Sequence, residues 1–333
     1  TFTHNRTPTV LEAGLRAPDF VLPDTRGVAS QFYARVGGRP VLLVFGDSGL
    51  TCEGCDRVVV GGAADEGSIA FSDVDGLVAR QFGVEGTGAF LLDANLRVVC
   101  SLDPTDGAAV DALRRTVATM DEIPSLEVRR IAPVLTVPRV LEPAHCEFLM
   151  TLWDQGGHVE TGVESSADGA RSDVLSDLHK RREDHTVADP KLVRLLTSTL
   201  GRRLLPELER AFGVRPSRFE GFKIACYDVA SSGFFDAHRD NLSPSTAHRQ
   251  FAVSLNLNDD YAGGYLLFPE YGPHRYRPEA GGVVVFSCAH LHAVSTVTEG
   301  RRFTLLTFLY DRERGQSNDA SLDPFQFAVK RPT

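Results

Sequence analysis

The chain lacks several things, and each lack excludes a class of protein. Nowhere in its 333 residues is there an apolar run of the roughly eighteen residues that a membrane-crossing helix needs. The opening stretch THNRTPTV has no apolar segment of the kind a secretory leader carries, so a cytoplasmic protein is expected. No basic tract follows the chain, and the formal net charge is −9, so nucleic acid is not the expected partner. Cysteine is sparse, and six in a chain of this length do not make a disulfide framework. Cys226 and Cys288 fall inside apolar strand-like runs and read as small buried hydrophobes, which fits a reducing compartment.

What is present is an ordinary globular composition. Hydrophobic residues make up 42% and charged residues 24%, enough for a substantial core. The length predicts two domains. The informative stretch runs from Tyr227 to Asp311. It contains His238 and Asp240 two residues apart, a spacing that puts both side chains on one side of an extended strand. His292 arrives from a distant strand. Two imidazoles and one carboxylate with open positions are the ligand set of non-haem Fe(II) oxygenases. His-x-Asp alone is a weak signal among ten histidines, and chance pairs on surface loops are expected.

Three features sharpen it. Arg302 stands in an apolar strand, RRFTLLTFLY, where a buried guanidinium requires an anionic partner and its fork suits a carboxylate. The run RQFAVSLNLN alternates, with Phe251, Val253, Leu255 and Leu257 on one face and Ser254, Asn256 and Asn258 on the other. Gly263-Gly264 and Gly281-Gly282 punctuate strands as a hairpin-rich barrel requires.

Residues from about 128 to 311 resemble the prolyl-hydroxylase-like branch of the Fe(II)/2-oxoglutarate dioxygenases. The motifs come in the expected order: Tyr227, Gly-Phe-Phe, His238-x-Asp240, GGYLLFPEYG, then His292-x-Val-x-x-Val-Thr-x-Gly-Arg-Arg302. The resemblance implies a double-stranded β-helix, or jelly roll, with supporting helices. It implies Fe(II) held by His238, Asp240 and His292, and 2-oxoglutarate bound through Arg302 and Tyr227, with Asn256 as a further contact. O2 is the oxidant and ascorbate a candidate accessory. The implied reaction is hydroxylation of an unactivated carbon, with succinate and CO2 released. Asp240 argues against halogenation, since halogenating relatives have a small residue at that place. Arg239, Asn241, His290 and Arg181 are candidate substrate contacts, with Arg182 and His185 beside them; the competing reading of each is a solvated or pocket-lining polar group. Small molecules and peptides are both compatible as substrates.

Ahead of this lies a second resemblance. GLRAPDFVLPDTRG and RPVLLVFGDSG look like the start of a thioredoxin-fold redoxin domain, with Cys52 and Cys55 in a Cys-x-x-Cys. The family sets such a pair at a helix N-terminus, where the thiol pKa falls. The segment after Cys55 is too short for the usual helix, strand and connections, and Val58-Val59-Val60 is a poor helix. A shortened redoxin with a structural or homodimer-pairing role is expected; a thiol-redox enzyme is the alternative. The expected layout is an α+β chain: a thioredoxin-like α/β domain over 1–120, a linker over 121–130, and the dioxygenase domain over 131–333. Helices are expected over 106–120 and 143–154, the latter presenting Phe148, Leu149, Leu152 and Trp153. One long helix is expected over Pro190 to Phe212. Residues 1–10 are expected as a flexible arm, 156–189 as a long loop bordering the site, and His248 and Arg249 on the surface. The tail patch Phe325, Phe327, Ala328 and Val329 is a candidate to dock back.

Overall fold

The computed structural model describes residues 10–63, 65–120, 125, 127–160, 163–165, 172–174, 179–311 and 327–328. The expected N-terminal arm and most of the tail lie outside them. Backbone contacts divide the chain into two compact units, Thr1–Glu127 and Val128–Thr333. Among the described residues no helix is long and apolar enough to cross a membrane.

The N-terminal unit is built on five strands, in the order Ile69–Phe71, Asp56–Val60, Val41–Phe45, Gly88–Leu92, Val98–Leu102. The first three run parallel and the last two are antiparallel to their neighbours. Val41–Phe45 is buried at every position, as a central strand covered on both faces should be. Parallel neighbours usually need a crossover of a dozen or more residues. Here only residues 46–55 and 61–68 connect them, and no described residue in either is helical. Arg57 ties both connections down: it donates to the carbonyls of Leu50 (2.8 Å) and Ser48 (2.6 Å) and to the Asp65 carboxylate (2.6 Å). The helix Gly107–Ala118 buries Val110, Leu113 and Val117. Asp106 caps it by accepting from the amides of Ala108 and Ala109, an arrangement worth about 1 kcal/mol.

The C-terminal unit has two principal sheets. The larger runs Leu135–Val137, Val283–Ser287, Phe251–Asn256, Arg301–Tyr310, Lys223–Asp228, Glu183–Thr186, Val159–Glu160. The smaller runs Lys180–Arg181, Phe234–His238, His292–Val294, Leu266–Leu267, Arg275–Tyr276. Alternation splits the larger sheet's side chains. Val253, Leu255, Val283, Val285, Phe303 and Leu305 pack with the helices. Tyr227, Ala252, Val284 and Phe286 pack instead with Leu266, Phe268 and Val294 of the other side. The result is mixed α/β with a sheet-rich core, consistent with a jelly roll.

Three expectations about this unit change. The helix expected over 190–212 is two helices, Pro190–Arg203 and Leu205–Phe212. Pro206 has no N–H to continue the ladder and its ring clashes with the preceding turn. Within the first helix Leu195 lies off the buried face, 41% exposed, while Leu192, Leu196 and Leu200 are buried. In the helix Pro143–Asp154 the buried face is Cys146, Leu149 and Trp153, and Phe148 points outward at 53% exposure. Residues 156–189 are not one loop: Lys180–Arg181 and Glu183–Thr186 each join a sheet. In the tail, Phe327–Ala328 pairs with Arg218–Phe219 as the docking expectation had it, whereas Phe325 and Val329 lie outside the described residues.

Candidate active site

His238 closes the strand Phe234–His238, and His292 opens His292–Val294 directly opposite it in register. Their rings lie 4.2 Å apart between centroids. Asp240 does not arrive by strand alternation, because the strand has already ended at His238. A bend carries it instead, fixed by its own N–H donating to the carbonyl of Cys288 (3.0 Å). Its carboxylate thereby sits between both imidazoles, 3.5 Å from His238 Nε2 and 3.4 Å from His292 Nε2. One ligand atom from each of the three residues lies within 4.8 Å of the others, the only such group of three among the described residues.

The tautomers are fixed by the backbone. His238 Nδ1 faces the carbonyl of Asp236 at 2.7 Å and His292 Nδ1 faces that of His290 at 3.1 Å. A carbonyl only accepts, so each Nδ1 carries the proton and each Nε2 keeps a free lone pair aimed inward, the outer-shell arrangement of metal-bound histidines. Burial lowers the His292 pKa to about 4, partly countered by Asp240, so the ring is neutral near pH 7. Burial pushes Asp240 upward, but His292, His238 and Arg249 outweigh it and the carboxyl is lowered overall. A neutral imidazole and an ionised carboxylate are the forms that bind a cation.

Deeper in the barrel, Arg302 is 2% exposed and its described partners are all neutral. It donates to Asn256 Oδ1 (3.2 and 3.4 Å) and Ser254 Oγ (3.2 Å), and it stands over the Tyr227 ring at 5.4 Å. Tyr227 is opposite Arg302 in register. Gly264 makes the room: a Cβ there would meet Arg302 Cδ at 2.9 Å, and its φ of +60° suits glycine. The unit thus holds a three-residue cation set and, on the strand paired with Tyr227, a buried guanidinium with no carboxylate partner among the described residues. Both fit what the Fe(II)/2-oxoglutarate reading requires.

Asn256 is fully engaged within the barrel. Its amide donates to Tyr261 Oη and the Pro278 carbonyl, both at 2.8 Å, and its oxygen accepts from Arg302. Its oxygen thereby holds the Arg302 guanidinium. His290 sits outside the ligand set, its ring 5.1 Å from Tyr271, and contributes its carbonyl to His292. Arg239 pairs with Glu270 (2.7 Å) and donates to the Ala289 carbonyl, while Glu270 also accepts from the Leu291 amide (2.9 Å). This clamps the approach to His292. Arg181 lies over Phe234 at 5.6 Å and donates to the Ser231 carbonyl. Asn241 is half-buried and makes no side-chain hydrogen bond among the described residues. His185 Nδ1 donates to the Gly156 carbonyl at 3.1 Å.

Sequence reasoning missed two networks. His248 and Arg249 are not surface groups: Glu220 accepts from His248 (2.8 Å) and from Arg249 (2.5 Å). Arg249 also reaches the Asp240 carbonyl (3.4 Å) and covers the Phe308 ring at 3.9 Å. Burial would raise Glu220, yet these partners hold its pKa at about 2. The second network joins Arg182 to Asp184 and Tyr227. The only hint in the sequence was the basic run at 180–182.

Cys52 and Cys55 do not occupy the setting their resemblance implied. Cys55 leads straight into the strand Asp56–Val60, with no helix N-terminus beside it. Burial and Cys52 raise the Cys55 thiol to about 12, which keeps it protonated and a poor nucleophile.

Residues 222–310 match the family model described as the 2OG-Fe(II) oxygenase superfamily. The chain carries a 2-oxoglutarate-dependent oxygenase domain. The family uses Fe(II), 2-oxoglutarate and O2. A PKHD-type hydroxylase of Xanthomonas campestris is 24% identical over 208 residues, covering 60% of this chain and 88% of the relative. One from a Psychrobacter species is 29% identical over 98 residues, covering 29% and 38%. Among solved structures, a 2OG-Fe(II) oxygenase from Burkholderia pseudomallei aligns with a TM-score of 0.40 at 20% identity, covering 54% of this chain and 85% of its own.

Proposed function

We propose that the oxygenase domain hydroxylates an unactivated carbon of a protein residue, an amino acid or a natural-product intermediate. The observation that carries this is Arg302: a buried guanidinium whose partners among the described residues are all neutral, in the same unit as the His238–Asp240–His292 set. On this reading the three side chains hold Fe(II). Arg302 pairs with the distal carboxylate of 2-oxoglutarate, held in aim by Asn256 and Ser254, and Tyr227 donates its hydroxyl to the same carboxylate. Bound Fe(II), with 2-oxoglutarate and O2, supplies the oxidising power, and succinate and CO2 are the by-products. Phe235 stacked on His238 at 3.6 Å and Phe286 at 4.6 Å from His292 wall the histidines with apolar surface. Asp240 keeps its carboxylate as a ligand and so supports hydroxylation over halogenation. Arg239, Asn241, His290 and Arg181 remain the candidates for substrate contact. The PKHD-type relatives support a hydroxylase of the prolyl-hydroxylase-like branch.

The N-terminal unit is read in the same proposal as a shortened thioredoxin-like module with a structural or pairing role. Its sheet order and the raised Cys55 thiol support that reading. The test of function is turnover. With Fe(II), 2-oxoglutarate and a panel of peptides and amino acids, a substrate should gain the mass of one oxygen atom in step with succinate release. Succinate release that needs no iron ligand, or no 2-oxoglutarate binding at all, would overturn the reading.

A further inference from the structure

Arg182 sits where the chain crosses between the two sheets of the barrel. The strand before it, Lys180–Arg181, pairs with Phe234–His238, and the strand after it, Glu183–Thr186, pairs with Lys223–Asp228. Its side chain is only 11% exposed. Nε and Nη2 form a fork with the Asp184 carboxylate at 2.6 and 2.7 Å. The remaining arm, Nη1, donates to the Tyr227 hydroxyl at 3.2 Å. The guanidinium also lies over the rings of Tyr227 and Phe235, each at 5.7 Å.

We infer that Arg182 is a positioning residue for the co-substrate, acting through the hydroxyl of Tyr227. A guanidinium has donors and no acceptor. Towards Arg182 the phenolic oxygen must therefore accept, and the phenolic proton has to point elsewhere. Among the described residues no other polar group bonds that hydroxyl. Across the ladder from Tyr227 stands Arg302, over the same ring. Arg182 thus sets the Tyr227 hydroxyl as a donor towards a carboxylate at Arg302, and polarises the O–H bond. Asp184, itself buried, holds Arg182 in that pose. A corner pin with no functional role would need the Asp184 fork but not the third bond.

This inference rests on the proposed use of 2-oxoglutarate, and the test separates the two. The measurement is the dissociation constant of 2-oxoglutarate for the Mn(II)-loaded full chain by calorimetry, in wild type, Tyr227→Phe, Arg182→Lys and the double variant. Mn(II) affinity is measured alongside. Tyr227→Phe removes a hydrogen bond to a charged group and should weaken binding about tenfold or more. Arg182→Lys keeps a cation for Asp184 but loses the rigid fork, and should weaken binding roughly three- to tenfold. In the double variant the loss should match Tyr227→Phe alone, because both changes act on one contact. Mn(II) affinity should hold throughout. If Arg182→Lys does not fold, Arg182→Met combined with Asp184→Leu removes the whole ion pair and carries the same expectation. Wild-type affinity in the Arg182 variant, or losses that multiply in the double variant, would overturn the inference. A wild type that takes up Mn(II) but no 2-oxoglutarate would overturn the functional reading, and this inference with it.

Discussion

Arg302 is the side chain whose surroundings constrain function most. Leaving a guanidinium in this interior without an anion costs several kcal/mol. Arg302→Leu should weaken 2-oxoglutarate binding by roughly one to two orders of magnitude while metal affinity persists, since a hydrogen bond to a charged group contributes about 1.5–3 kcal/mol. Titrating 2-oxoglutarate into the metal-loaded variant checks this. The two neighbouring histidines should separate cleanly. His292→Ala should lose iron affinity by more than about a hundredfold and His290→Ala by no more than a few-fold, because only the former presents a ring nitrogen to the ligand set. Equilibrium iron binding reads both. Glu220 gives a pH dependence. Its folded pKa of about 2 lies below the unfolded value near 4.5, so its stabilisation is complete above pH 4.5. That contribution, about 3 kcal/mol, is lost as pH falls through 2. Urea unfolding should show this acid loss in wild type and a shallower one in Glu220→Gln, which starts less stable because Arg249 has lost its carboxylate. The motif residues were legible because one stretch of chain holds them at telling spacings. Glu220 with Arg249, and Arg182 with Tyr227, were not: they are 29 and 45 residues apart and meet only through strand pairing.

At the scale of elements, alternation in Phe251–Asn256 was readable and the structure keeps it. Val253 and Leu255 face the helices, while Ser254 and Asn256 face Arg302. Helix ends were less readable. The leucine spacing ran on past Pro206, and periodicity alone does not register a missing N–H. The glycines test the strand geometry. Gly281 has φ of +76°, and a Cβ there would collide with the Leu141 carbonyl, which is backbone and cannot swing aside. At Gly264 a Cβ would meet side-chain atoms, nearest Arg302 Cδ at 2.9 Å and then Val297 Cγ2 at 3.1 Å and Tyr261 Cε2 at 3.3 Å. Gly281→Ala should therefore cost well over 1–2 kcal/mol, roughly the left-handed strain alone, and leave 2-oxoglutarate affinity of the folded fraction unchanged. Gly264→Ala should be milder on stability and should weaken 2-oxoglutarate binding by displacing Arg302. Thermal melts and calorimetry on the two variants distinguish these outcomes.

At the scale of the whole molecule, backbone contacts divide the chain into two units, Thr1–Glu127 and Val128–Thr333, where the length led to an expectation of two domains. The shortening after Cys55 was readable from segment length, but the Arg57 bonds that hold the loops 46–55 and 61–68 between parallel strands were not, because they join residues seven to nine positions apart through backbone carbonyls. The thiols there are expected to be spectators. Cys52→Ser with Cys55→Ser should leave 2-oxoglutarate turnover within a few-fold of wild type, and loss of most turnover in a folded double variant would assign the N-terminal unit a part in the cycle. The central claim is that one barrel interior binds Fe(II) through His238, Asp240 and His292 and 2-oxoglutarate through Arg302. Its most direct test is the metal-to-ligand charge-transfer absorption of the anaerobic Fe(II) protein as 2-oxoglutarate is added. Wild type should develop the band, saturably. Asp240→Ala should show none, and Arg302→Leu should need a much higher 2-oxoglutarate concentration. No band in wild type, or an unchanged titration in Arg302→Leu, would contradict the account.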